Sequence, residues 1–155
     1  MLCYEHKPII GTSISRIQGF ENIVLDTINT EYDKVYSYVI LPNHYHILIK
    51  TDNIKNLLNR IFILHRKLAS NWNKEDDSMG RKIWCNIMDS GIKGDRHFWA
   101  TMNYIHNNPV KHGYVDKWQD WKFSSAEAFI KNEGKEKTLK IWKKYDISRM
   151  CKWDK

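Results

Sequence analysis

The sequence predicts an α+β fold of the ferredoxin-like, RRM-like sandwich class: a central antiparallel sheet with one main helix-covered face and a site-bearing helix at the other. Three observations lead there. Two segments pass from helical to extended periodicity, residues 35–50 read as a paired hairpin, and 42% hydrophobic residues in a chain of 155 suffice for one core without disulfides.

The start of the chain is already apolar and reads as a short strand up to Ile10, broken by Pro8 and Gly11. From Ser13 or Ser15 the spacing of Ile17, Phe20, Val24, Leu25 and Ile28 predicts a helix to about Thr30. Val35 to Leu41 is β-branched and aromatic, Pro42-Asn43 makes a tight turn, and His44 to Lys50 returns as the partner strand. Strand alternation sends Tyr45, Ile47 and Ile49 one way, toward helices, and His44, His46 and Leu48 the other.

Thr51 or Asp52 is the expected cap of a long helix whose buried stripe is Ile54, Leu57, Leu58, Ile61, Leu64, Leu68 and Trp72. Residues 75–80 form a polar link, 82–88 read as a further strand, and 89–94 as a glycine-containing loop. A third helix starts at Asp95, with Phe98, Met102 and Ile105 on one stripe and His97, Thr101, Tyr104 and Asn108 on the next. Pro109 disfavours helical geometry at Asn108, so this helix is expected to end there. Trp118, Trp121 and Phe123 suggest a strap packed back on the domain, and residues 125–145 read as mainly helical. The domain is expected to occupy residues 1–130, followed by a basic, mainly helical extension over 131–155.

Formal charge is +7, of which residues 131–155 carry nine basic against four acidic groups, a net +5. An anionic partner such as nucleic acid and ordinary basic solubility both fit this balance. Cys3, Cys85 and Cys151 form no CxxC pair, which removes zinc knuckles, disulfide scaffolds and zinc deaminases from consideration. No apolar run approaches the length of a membrane span and no secretion signal is visible, so the expected location is the cytoplasm, at the nucleoid when bound to DNA, with no membrane partner.

Two histidines on one strand face directly after a turn can approach a single cation from one side, or can be a stacked surface pair. Two protein ligands are too few for a closed structural site, whereas a catalytic ion keeps positions open. On the third helix, Asn108 offers an amide oxygen and Tyr104, one turn earlier, a phenol; a C-cap and a packing aromatic are the plain readings of the same residues. His106 lies about 200° around the helix from Tyr104 and is expected to pack. Arg16, Lys50, Arg66, Lys93, Arg96 and Lys111 are candidate contacts to a nucleic-acid backbone.

The segment Leu41-Pro-Asn-His-Tyr-His-Ile-Leu-Ile49 resembles the histidine-hydrophobic-histidine motif of the IS200-like tyrosine transposases. The segment Tyr104-Ile-His-Asn-Asn-Pro-Val-Lys-His-Gly-Tyr-Val115, followed by Trp121-Lys-Phe-Ser-Ser125, is similar to the second signature of their REP-associated branch, and the resemblance spans approximately residues 4–130. It implies His44, His46 and Asn108 as ligands of Mg²⁺ or Mn²⁺ and Tyr104 as the nucleophile. The implied activity is endonuclease and strand transferase on single-stranded DNA with hairpin or palindromic elements, through a 5′-phosphotyrosine intermediate, by a monomer or homodimer. The sequence departs from the family's usual pattern in an abbreviated first strand, in the glycines of Asp89–Gly94 and in Lys122 where proline is common. The chief alternative is a non-catalytic single-stranded nucleic-acid-binding module of the same fold. A nickase with the same constellation is a second.

Overall fold

The computed structural model describes residues 3–30, 33–85, 87–145 and 147. The element order is α1 (Ile14–Ile28), β1 (Lys34–Ile40), β2 (Tyr45–Lys50), α2 (Ile54–Glu75), α3 (Asp95–Lys111), α4 (Ala126–Glu133) and α5 (Lys135–Lys144), with one-turn 3-10 helices at Tyr4–His6, Ile10–Thr12 and Trp118–Asp120. It is a mixed fold of several helices and one small two-stranded antiparallel sheet, β1 beside β2. No helix among the described residues is long and apolar enough to cross a membrane.

The chain divides into two compact units. The first comprises Met1–Val35, Ile40–Tyr45 and Ile49–Met88. Here α1 packs on α2 through most of the expected stripes: Ile17, Phe20, Val24 and Ile28 on one and Leu57, Ile61, Leu64, Leu68 and Trp72 on the other are buried, whereas Leu25 and Leu58 at their edges are half-buried and Ile54, in the first turn of α2, is exposed. Ser13 caps α1 by accepting from the Arg16 amide at 3.1 Å. The cap of α2 is Asn53, not Thr51 or Asp52, and its side chain accepts from the Asn56 amide at 3.0 Å. An aromatic nest closes this core: Phe20 meets Tyr45, Trp72 and Trp84 at centroid distances of 5.3, 5.8 and 5.7 Å. Beside it the Tyr45 hydroxyl lies 2.9 Å from His65 Nε2.

The second unit comprises Tyr36–Val39, His46–Leu48 and Asp89–Lys155. Val39 bridges Ser124, and Ser125 locks that junction: its hydroxyl accepts from the Tyr38 amide at 2.9 Å while its own amide donates to the Tyr38 carbonyl at 3.1 Å. His106 lies 2.9 Å from the same hydroxyl through Nε2, with Trp118 stacked at 6.1 Å and Phe129 and Trp142 both at 5.5 Å. It is a packing residue, as its direction on the helix implied. Gly134, at φ +81, divides the expected helix 125–145 into α4 and α5. The boundary expected at residue 130 falls inside α4, and Trp142 of α5 is buried in this unit.

Three further expectations change. The strand expected before Ile10 reduces to a single antiparallel bridge between Cys3 and Trp84, with the Tyr4 amide donating to the Ile83 carbonyl at 2.7 Å. The chain leaves extension because Glu5 and His6 both stand at φ 55. The strand expected over 82–88 shrinks, among the described residues, to that same bridge. Finally, α3 does not stop at Asn108 but continues through Pro109 to Lys111. A proline this close to a helix end forfeits one backbone bond, and the closing turn is made good by His112 and Gly113 amides donating to the Asn108 and Val110 carbonyls at 3.1 and 3.0 Å. The tail residues 148–155, including Lys152 and Lys155, lie outside the described residues.

Candidate functional site

The hairpin turn places the first histidine. Leu41 and His44 flank the two-residue loop, with the Leu41 amide donating to the His44 carbonyl at 2.8 Å. Neither Pro42 nor Asn43 takes a positive φ, so this is not the left-handed turn whose twist suits a two-residue hairpin. The turn is held from outside instead. The Gly11 amide donates to the Pro42 carbonyl at 2.9 Å and the Cys3 amide to the Asn43 carbonyl at 2.7 Å. Gly11 must be glycine for this, because a Cβ there would sit 2.4 Å from Pro42 Cβ and 2.6 Å from its Cα. His44, only 3% exposed, has Nδ1 2.7 Å from Asn43 Oδ1.

Two residues on, His46 belongs to the second unit, as do Tyr104, Asn108 and Lys111. Tyr45 and His46 alternate as the sequence implied, Tyr45 entering the Phe20 nest and His46 meeting the edge of the Tyr104 ring at 5.4 Å, but on the side expected to face helices Ile47 and Ile49 are only half-buried, whereas Leu48 on the histidine side is buried. Tyr104 is 5% exposed and Asn108, one turn later, is completely enclosed. An amide enclosed this way is stable only with its polar atoms engaged, which makes it a poor plain surface cap.

Lys111 adds a group whose role the sequence reading missed. Its ammonium lies 3.4 Å from the Tyr104 hydroxyl and 5.1 Å from the ring centroid. The signal was available: seven residues is two helical turns, which restores the same face, provided the helix runs through Pro109. Asn43, the contact of His44, was also missed, and its role follows from a loop geometry that spacing does not encode.

The remaining candidates are dispersed. Arg16 is tied to Asp76 at 2.5 and 2.9 Å and to Glu75 at 3.1 Å, and its guanidinium lies 5.5 Å over Trp72. Arg81 joins the same Asp76 at 2.6 Å, and the two guanidiniums hold the Asp76 carboxyl well below the usual carboxylate range. Lys50, Arg66, Lys93 and Arg96 are exposed, with Arg66 5.9 Å over Phe62. The Lys93 amide donates to His97 Nδ1 at 3.1 Å. Burial lowers two histidines outside the candidate site, His65 and His106, each to about 3. Among the described residues no three His, Cys, Asp or Glu side chains gather as metal ligands.

No family model matches the chain. Over 104 residues it is 32% identical to the "Putative REP-associated tyrosine transposase" of Haemophilus influenzae, an alignment covering 61% of this chain and 59% of that protein. The chain thus spans about three-fifths of the length of the relative it matches. In fold it is similar to a REP-associated tyrosine transposase solved bound to a REP hairpin, with a TM-score of 0.60, 18% identity, and coverage of 84% of this chain and 74% of that one. Sequence and fold point in the same direction: the chain is similar over 104 residues to one REP-associated tyrosine transposase and shares the fold of another.

Proposed function

We propose that this protein cleaves and rejoins single-stranded DNA beside hairpin or palindromic elements, with Tyr104 as nucleophile. The observation that carries the reading is the buried Tyr104 phenol, edge-on to His46 at 5.4 Å and 3.4 Å from the Lys111 ammonium. A buried phenol needs a hydrogen-bonding partner in any case, but a full positive charge there favours an attacking phenol in particular, because negative charge develops on its oxygen.

The step is a transesterification. The phenol loses its proton, its oxygen bonds to phosphorus, the P–O3′ bond breaks, and the departing 3′ oxygen takes up a proton. One phosphoester replaces another, so the energy of the cleaved bond is retained in the 5′-phosphotyrosine and the reverse attack by a 3′ hydroxyl needs no ATP. Lys111 steadies the phenolate and offers a contact to the phosphate.

His44, His46 and Asn108 are the proposed holders of a Mg²⁺ or Mn²⁺ ion. The residues suit it: two imidazoles and an amide oxygen are neutral donors that leave the ion's charge undiminished and leave positions for phosphate oxygens. Bound there, the ion supplies positive charge to the phosphate. The proposed fold behind this arrangement is the ferredoxin-like, RRM-like sandwich, and Lys50, Arg66, Lys93 and Arg96 are proposed contacts to the DNA backbone. Arg16 serves only by exchanging Asp76 for phosphate. The proposed setting is the cytoplasm, at the nucleoid.

The test is incubation of the full chain with labelled hairpin-bearing single strands and Mg²⁺ or Mn²⁺. A covalent protein–DNA adduct forms with the unaltered chain and disappears in Tyr104→Phe. Salt-sensitive binding with no adduct under any metal condition would reject cleavage in favour of the binding module.

A further inference from the structure

We infer that Asn43 is a positioning residue for His44: it fixes the ring's tautomer and orientation so that Nε2, not Nδ1, carries the lone pair presented to a metal ion. The inference rests on the metal-supported cleavage proposed above, but its first observable does not require metal or DNA.

The argument lies in the polarity of one hydrogen-bonded chain. Asn43 Nδ2 donates to the His6 carbonyl at 3.2 Å, while Asn43 Oδ1 lies 2.7 Å from His44 Nδ1. A carbonyl oxygen only accepts, so the group of Asn43 that faces His6 must be its NH₂. Turning the amide over would set two oxygens against each other. With Nδ2 committed, Oδ1 faces the imidazole, and Oδ1 too only accepts. His44 Nδ1 must therefore be the protonated ring nitrogen, which leaves the lone pair of the neutral ring on Nε2. The direction of a backbone carbonyl thus decides the chemistry of a side chain on another segment.

That carbonyl is aimed deliberately. His6 and the preceding Glu5 both stand at φ 55, in the left-handed region that residues with a side chain seldom adopt. The same short segment returns to the turn through the Cys3 amide, which donates to the Asn43 carbonyl at 2.7 Å. Asn43 is therefore gripped by backbone and side chain at once, and only its Oδ1 is left to orient the histidine. Metal-ligating histidines behave this way in general: the acceptor on the far ring nitrogen selects the tautomer, and its removal costs roughly 10–100-fold in metal affinity.

The experiment uses the full chain labelled with ¹⁵N, free of metal, at about pH 8 where imidazole is neutral. Long-range ¹H–¹⁵N correlation reports which nitrogen of His44 is protonated. The expected result is a proton on Nδ1 in the unaltered chain and a redistribution toward Nε2 in Asn43→Ala. Mn²⁺ added alone and followed by electron paramagnetic resonance should bind about 10–100-fold more weakly to Asn43→Ala. A proton found on Nε2 in the unaltered chain, or an Asn43→Ala spectrum with the His44 tautomer unchanged, overturns the assignment. An unaltered chain that shows the Nδ1 proton yet binds no Mn²⁺ upholds the role of Asn43 and overturns the metal reading instead.

Discussion

At the scale of single residues, the arrangement around the Tyr104 phenol separates charge from shape. Lys111→Met keeps the length of the side chain and its contact with the ring but removes the charge 3.4 Å from the hydroxyl. If that charge offsets developing phenolate, adduct formation should slow by about 100-fold, the typical cost of losing one charge-stabilising donor, while Mn²⁺ binding is unchanged. Lys111→Arg should recover most of the rate. Equal single-turnover rates for Lys111→Met and the unaltered chain would remove Lys111 from the chemistry. Strand alternation and helical spacing put His44 with His46 and Tyr104 with Asn108 on shared faces, and the family resemblance is what singles those four out as a site. Asn43 could not be named from the sequence, since its importance depends on where the carbonyl of His6 points, and two residues at positive φ decide that.

Among the elements, the hairpin and α3 teach opposite lessons. The hairpin strands were legible within a residue or two, because β-branched residues surround a Pro-Asn turn. The support of that turn was not, because it comes from the segment at Gly11. Gly11→Ala should drive a methyl group into Pro42, where backbone as well as side chain stands in the way. The expected consequence is about 1–3 kcal/mol of destabilisation in denaturant titration, with weakened Mn²⁺ binding as the turn and Asn43 shift. Full stability together with full Mn²⁺ affinity would show that the close approach is dispensable. For α3 the pre-proline rule gave the wrong end: the rule describes a local preference, and burial of Tyr104, Ile105, Asn108 and Pro109 on one helix outweighs it. The extra turn is what returns Lys111 to the face of Tyr104. The N-terminal strand failed for the reverse reason, since an apolar start carries no signal of the turn at Glu5 and His6.

For the molecule as a whole, each compact unit contains a histidine that burial holds neutral. His65 sits between Tyr45 and Trp84 in the first, with its ring stacked 4.1 Å from the tryptophan, and His106 lies among Trp118, Phe129 and Trp142 in the second. Burial lowers both from 6.5 to about 3, so between those limits the unfolded chain binds more protons than the folded one. Stability is therefore complete above about pH 6.5 and is lost progressively as pH falls toward 3, by about 2 kcal/mol per histidine at pH 5. Asp76, held low by Arg16 and Arg81, contributes its own loss only at more acid pH, where an unperturbed carboxylate begins to protonate. Comparing pH 7.5 with pH 5.0 thus isolates the histidines. In urea titrations, His65→Gln and His106→Gln retain a hydrogen-bonding group but cannot ionise, so each should lose some stability at pH 7.5 and shrink the difference between the two pH values by about 2 kcal/mol in the unit that holds it. A pH difference in both variants as large as in the unaltered chain would mean that neither ring is kept neutral by the fold, and that the acid sensitivity of the two units arises elsewhere.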